Sequence, residues 1–179
     1  SPETNDFSLL EKINYSDSAI ETFFVERAEQ LLKKDGYAAI VLPQSILSNA
    51  KYEIMRRFIL NNFTIKGLLM TSDITFSGTT TSPVILFLKK EKRSNKHYEV
   101  LLVGSPKYLT PTNSKMKSKE VNFLGYEFSS NRSKSGITLI GNALLKEIAP
   151  LMNQFILTGS CDIPTSCKDD VFIKYLDEF

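Results

Sequence analysis

Residues 84–88, Val-Ile-Leu-Phe-Leu, form an unbroken apolar run, the pattern of a strand covered on both faces rather than wet on one. What precedes that run constrains the fold most. Of the twelve residues 71–82, eight are Ser or Thr, a composition that closes local turns and cannot hold a crossover helix. Parallel neighbours need a crossover of a dozen or more residues, usually helical. The strand at 84–88 therefore returns antiparallel to the strand before it or to that strand's neighbour. Phe76 is the one large aromatic of the polar loop. It either tucks into the core as a packing ring or waits for a partner, and long loops between buried strands are usually functional.

Upstream, the order is helix, strand, helix, strand. A helix is expected over 18–33, with Ser18 and Glu21 as a capping box and Ile20, Phe23, Phe24, Ala28, Leu31 and Leu32 on its apolar face. Asp35-Gly36 supplies the turn that stops it. Residues 37–42 (Tyr-Ala-Ala-Ile-Val-Leu) read as a second buried strand closed by Pro43. A helix over 50–62, apolar at Ile54, Met55, Phe58 and Ile59, leads to a strand at 65–70. The span 37–70 holds one crossover, so these two strands run parallel. The fold class is α/β, with parallel strands, a final antiparallel strand and helices on the sheet faces.

Beyond His97 the pattern weakens. Residues 98–103 are expected as an edge strand, 106–120 have no periodicity, and 142–153 read as a helix that Pro150 should kink or end. A last apolar segment, 169–179, needs a surface to cover it, either this chain's own sheet or a partner.

Composition excludes several classes of function. At 179 residues with 42% hydrophobic content the chain can bury one good core. No apolar stretch has the length to cross a bilayer, and the polar, acidic start does not resemble a secretion signal, so a cytoplasmic location is expected. Cys161 and Cys167 fit no metal-ligand spacing. One histidine cannot assemble a His-based triad or a zinc cluster. The net charge is only +2, but it is unevenly spread: residues 1–35 carry eight acids and four bases, whereas 89–119 carry nine Lys/Arg and two acids. The second zone, with Lys115, Lys117 and Lys119 among Ser, Thr and Asn, has the character of a phosphate-contacting surface or of a solvated loop.

These residues together resemble the adenine-specific DNA methyltransferases, in particular the modification subunit of type I restriction enzymes. The resemblance rests on 24–43, from Phe-Val-Glu-Arg-Ala to Ile-Val-Leu-Pro, on the Arg56-Arg57 helix, and on 76–90 with its Phe-Ser-Gly start. It continues weakly through 123–137. It implies a Rossmann-like, S-adenosylmethionine-dependent methyltransferase sheet of which only the last strands are present, with 1–104 as the carboxyl-terminal half of the catalytic domain. Residues 105–179 would be a basic loop and an extension that packs on that half or on a partner. The family's donor-binding Gly-rich turn and its Asn/Asp-Pro-Pro-aromatic motif have no counterpart, since no two glycines stand one residue apart and no two prolines are adjacent.

By the resemblance, then, the parent enzyme methylates the exocyclic amine of adenine with S-adenosylmethionine, while this piece holds no catalytic, cofactor or metal site and is inactive alone. Phe76 would bind the target base, and Ser77, Gly78, Lys115, Lys117 and Lys119 would contact DNA. Partners would be DNA, a specificity subunit and a second methylase subunit. Two other readings stay open: a non-catalytic module with a methylase-like fold that binds DNA or protein, and half of an unrelated α/β enzyme.

Overall fold

The computed structural model describes residues 20–71, 83–91, 97–104, 126–128, 137–139 and 145–176. Helix α1 (Ile20–Leu31) leads through Asp35, at φ +63°, into strand β1 (Tyr37–Pro43). Two short 3-10 turns follow, and Asn49 Oδ1 accepts from the Lys51 N–H (3.0 Å) at the second. Helix α2 (Glu53–Asn62), strand β2 (Thr64–Met70) and strand β3 (Pro83–Lys89) complete this part of the sheet.

β3 lies between β1 and β2 and is antiparallel to both, with Val41 opposite Ile85 and Leu69 opposite Ile85 from the other side. β1 and β2 therefore point the same way, as the connection lengths required, although β3 separates them and they do not pair. A Ser/Thr-rich link too poor in apolar residues for a helix can only reverse the chain, which fixes this arrangement. β3 buries Val84, Leu86 and Leu88 on one face and half-buries Ile85 and Phe87 on the other.

Strand β4 (Tyr98–Val103) corrects the expectation of an edge strand. It pairs parallel with β2, Gly67–Leu69 against Leu101–Val103, and its other side is taken by strand β7 (Val171–Leu176), antiparallel. Its alternation feeds both faces, which is why Val100, Leu101 and Val103 are all buried. Where the parallel ladder stops, the Tyr98 hydroxyl accepts from the Ile65 N–H at 3.2 Å. The sheet order is β1-β3-β2-β4-β7, and the apolar end of the chain thus folds back onto its own sheet. Strands β5 (Tyr126–Phe128) and β6 (Ile137–Leu139) form a separate antiparallel pair.

Helices α1 and α2 cover one face, where Val25, Leu42, Met55, Ile59, Leu86 and Leu88 form a buried cluster. Helix α3 (Leu145–Thr158) covers the other, placing Ile148, Met152 and Phe155 on Leu69, Leu101, Val103 and Val171. α3 runs through Pro150 instead of ending there. Pro150 is exposed, so its ring meets solvent, and the lost backbone bond is outweighed by three buried side chains at about 1.5–3 kcal/mol each.

Two expectations about exposure fail on the same side of the molecule. α1 buries Thr22, Val25 and Glu26, while Ile20, Phe24 and Leu31 are 66%, 62% and 77% exposed. β1 is not fully buried either: Tyr37, Ala39 and Val41 face outward, and among the described residues nothing pairs with its outer edge. A helix with apolar residues on more than one stripe does not itself choose which stripe packs. The sheet chose Val25.

Candidate functional site

β1, β2 and β4 all point their carboxyl ends toward one edge of the sheet, and that edge is where α/β sheets place ligands. Pro43 ends β1 there opposite Pro83, Met70 ends β2, and Val103 ends β4. Thr71, buried, clamps the opening of the loop that follows: its N–H donates to the Pro83 carbonyl at 3.2 Å and its hydroxyl to the same oxygen at 3.1 Å. The ends of the Ser/Thr-rich loop are thereby pinned side by side.

Gly104 ends β4 at φ +127°, a backbone region essentially closed to residues with a side chain. A Cβ there would stand 2.7 Å from the Met70 carbonyl oxygen, and the Gly104 N–H donates to the Asp170 carbonyl at 2.8 Å. The segment from 105 onward therefore leaves the described fold beside Met70 and Thr71, where the 72–82 loop also leaves. Sequence reasoning passes over both Thr71 and Gly104. The signal is present in both cases, a hydroxyl and a glycine standing immediately after apolar strands.

Phe76, Ser77 and Gly78, and likewise Lys115, Lys117 and Lys119, lie outside the described residues, as does Ser18. The other end of the basic zone is described, and it is structural. Lys90 Nζ donates to the carbonyls of Glu29 and Leu32 (2.9 Å for the latter) and pairs with the Glu29 carboxylate at 3.0 Å. It caps the carboxyl end of α1, where a cation meets the negative end of the helix dipole. The Asp35 N–H donates to the Lys90 carbonyl and the Lys90 N–H to the Gly36 carbonyl. Lys89 bonds Glu91 at 2.6 Å and lies 3.6 Å from Asp35.

That hydrogen bond to Glu91 raises the Lys89 ammonium above its ordinary value against the opposing effect of burial. Burial pushes the Glu91 carboxyl up, but Lys89, with Thr64 and Lys66, outweighs it and leaves the group lowered. Both lysines sit at the amino-end edge of β1 and β2, opposite the candidate edge.

The arginines of α2 are also held by contacts within the fold. Arg56 Nη1 donates to the carbonyls of Ile46 and Asn49, 2.8 Å each, fastening the turns that follow β1, and Arg57 pairs with Glu53 at 2.7 Å on the surface. Burial, then the neighbouring Asp162, raises the Cys161 thiol. Among the described residues no group of three or more His, Cys, Asp or Glu side chains gathers to hold a metal, and no helix is long and apolar enough to cross a membrane.

Residues 3–151 match the family described as N-6 DNA methylase. A curated relative, the type II restriction enzyme and methyltransferase RM.Eco57I of Escherichia coli, is 31% identical over 93 residues, 48% of this chain and 9% of that protein. In the solved modification subunit of a putative type I restriction enzyme from Vibrio vulnificus, the similarity covers 93% of this chain and 30% of that one, at 12% identity and a TM-score of 0.51. That likeness is one of fold. The chain spans less than a third of the length of either protein.

Proposed function

Since this chain belongs to the N-6 DNA methylase family, we propose that it is the target-recognition part of an adenine-specific DNA methyltransferase of a restriction-modification system, contacting base and backbone and inactive by itself. The observation that carries this reading is the convergence at the carboxyl edge. The two segments with nucleic-acid character, the 72–82 loop and the lysine-rich stretch after Gly104, both depart there, beside Thr71 and Met70.

The exocyclic amine of adenine is paired and stacked in a duplex, so the base must be turned out before it can react. Phe76 offers the extruded base an apolar face to stack on, and Ser77 and Gly78 let backbone approach it closely. Lys115, Lys117 and Lys119 neutralise phosphates of the flanking duplex.

S-adenosylmethionine supplies the methyl group in the complete enzyme. The residues present do not fit a pocket for it: of the three strands ending at the carboxyl edge only β4 is followed by a glycine, and the space beside Gly104 is taken by the Met70 carbonyl. Donor binding thus falls to the remainder of the protein. The open edge of β1 and the exposed apolar side chains Phe24, Leu31, Tyr37 and Val41 support this division, since they present a surface suited to further sheet. In the assembled enzyme, a specificity subunit and a second methylase subunit complete the partners.

The test is Phe76→Ala. The free chain should keep its melting temperature, while the complete enzyme should lose about 1–3 kcal/mol of transition-state stabilisation, roughly 5- to 150-fold in methylation rate. An unstable Phe76→Ala chain would make the ring a packing element. Unchanged methylation with wild-type stability would leave the chain as an interaction module.

A further inference from the structure

The turn over 44–51, between β1 and α2, also lies at the carboxyl edge, and all of its residues are among those described. It leaves the sheet at Pro43, opposite Pro83, the residue whose carbonyl Thr71 grips. No acid stands between Pro43 and Tyr52, and Ser45, Ser48, Asn49 and Lys51 are exposed. Hydroxyls, an amide and an ammonium are the side-chain groups that proteins lay against a phosphate backbone.

The turn is fixed from beneath. Ile46 and Tyr52, both buried, anchor it in the core. The Asn49 N–H donates to the Ser45 carbonyl at 2.9 Å and the Tyr52 N–H to the Asn49 carbonyl at 3.1 Å. Half-buried Arg56 gives its guanidinium to the Ile46 and Asn49 carbonyls, so it is a brace and not a free charge. Arg57 is engaged as well, since it holds Glu53. That leaves Lys51. Its ammonium stands 4.9 Å from the centroid of the Tyr52 ring, within cation–π reach, and among the described residues no carboxylate pairs with it. A cation resting on a buried ring is oriented without being neutralised.

We propose, resting on the DNA-contacting reading above, that this turn is a further phosphate-binding element of the carboxyl edge. Lys51 donates to a phosphodiester oxygen of the duplex, and Arg56 is the positioning residue that holds the turn in shape. Ordering loose groups on binding subtracts from affinity, which is what a turn braced in advance avoids.

The experiment titrates the full chain into a fluorescently labelled duplex of arbitrary sequence, followed by anisotropy across a salt series. Lys51→Gln should lower the log-log salt slope by about 0.9 and weaken binding roughly eightfold at 0.1 M salt, the loss of one phosphate contact. Lys51→Arg should keep the wild-type slope. Lys34→Gln removes the same charge from the exposed link after α1, at the opposite edge, and should leave the slope unchanged. Arg56→Gln should weaken binding at an unchanged circular dichroism spectrum and have less effect once Lys51 is replaced, while Arg56→Lys, which keeps a donor, should recover part of the loss. An effect of Arg56→Gln that is the same with and without Lys51 would overturn the positioning role. Lys51→Gln alters an exposed side chain and decides the phosphate contact even if Arg56→Gln unfolds the chain. A wild-type slope in Lys51→Gln, or an equal fall in Lys34→Gln, would overturn the proposal while duplex binding itself upheld the reading beneath it. A wild-type chain that binds no duplex would overturn both.

Discussion

Replacing Gly104 by Ala should damage this fold more than the same change at Gly159, the other described glycine of positive φ. The backbone at +127° lies where a side chain costs about 1–3 kcal/mol by local strain alone. The new Cβ would also stand 2.7 Å from the Met70 carbonyl oxygen and 3.0 Å from Met70 Cβ, both on the neighbouring strand. That strand cannot yield freely, because Thr71 is tied to Pro83 by two hydrogen bonds and Leu69 is registered against Val103. Relief must come from the end of β4, loosening the Gly104 N–H bond to Asp170, worth roughly 0.5–1.5 kcal/mol.

Together these give a loss of about 1.5–4.5 kcal/mol, a large share of the roughly 5–15 kcal/mol typical of a domain. Gly159 is the control: at φ +86° a methyl group added to it would meet nothing within 4 Å, so Gly159→Ala should cost about 1 kcal/mol, partly offset by reduced freedom of the unfolded chain. Urea unfolding followed by circular dichroism separates the two through their midpoints at constant slope. In a thermal scan Gly104→Ala should fall by roughly 10 °C, at about 2–4 °C per kcal/mol for a chain of this size. Equal midpoints for the two variants would refute the claim that the close approach of β2 to β4, and not backbone conformation alone, makes glycine necessary at 104.

Charge reversal of Lys115, Lys117 and Lys119 should flatten the log-log salt dependence of duplex binding by about 0.9 for each phosphate no longer neutralised; an unchanged slope would return these lysines to solvent. Calorimetric titration of the chain with S-adenosylmethionine should show no micromolar complex, and a saturating one would place a donor pocket within this chain. Glu91 is lowered from its ordinary value of 4.5, so its stabilisation is present above that value and is lost as pH falls through the folded one. Glu91→Gln should therefore remove up to about 1 kcal/mol near neutrality and show a shallower acid loss of melting temperature than wild type. The raised Lys89 gives the mirror case: its contribution is present below 10.5 and lost as pH climbs through the folded value, so Lys89→Met should flatten the alkaline limb.

Strand directions were readable because they follow from local chemistry. Eight hydroxyl residues among twelve cannot build a crossover, and the stretch from β1 to β2 can, which settles antiparallel β3 and co-directional β1 and β2 before any tertiary pairing is known. The existence of α1, β1, α2 and β2 followed equally from periodicity and from the Asp35-Gly36 turn. What periodicity could not supply was the neighbour of each element. Ile20, Phe24 and Leu31 look as suited to a core as Val25, and only the position of the sheet decides between the two stripes. β4 looked short and polar enough for an edge until β7, about seventy residues later, closed its other side. Lys90 is indistinguishable in sequence from the lysines that follow it, yet it caps α1 across some sixty residues of chain. Local pattern fixes which segments are helix or strand and which way they run; burial, edges and the use of each charge are set by long-range pairing, which only the folded chain brings about.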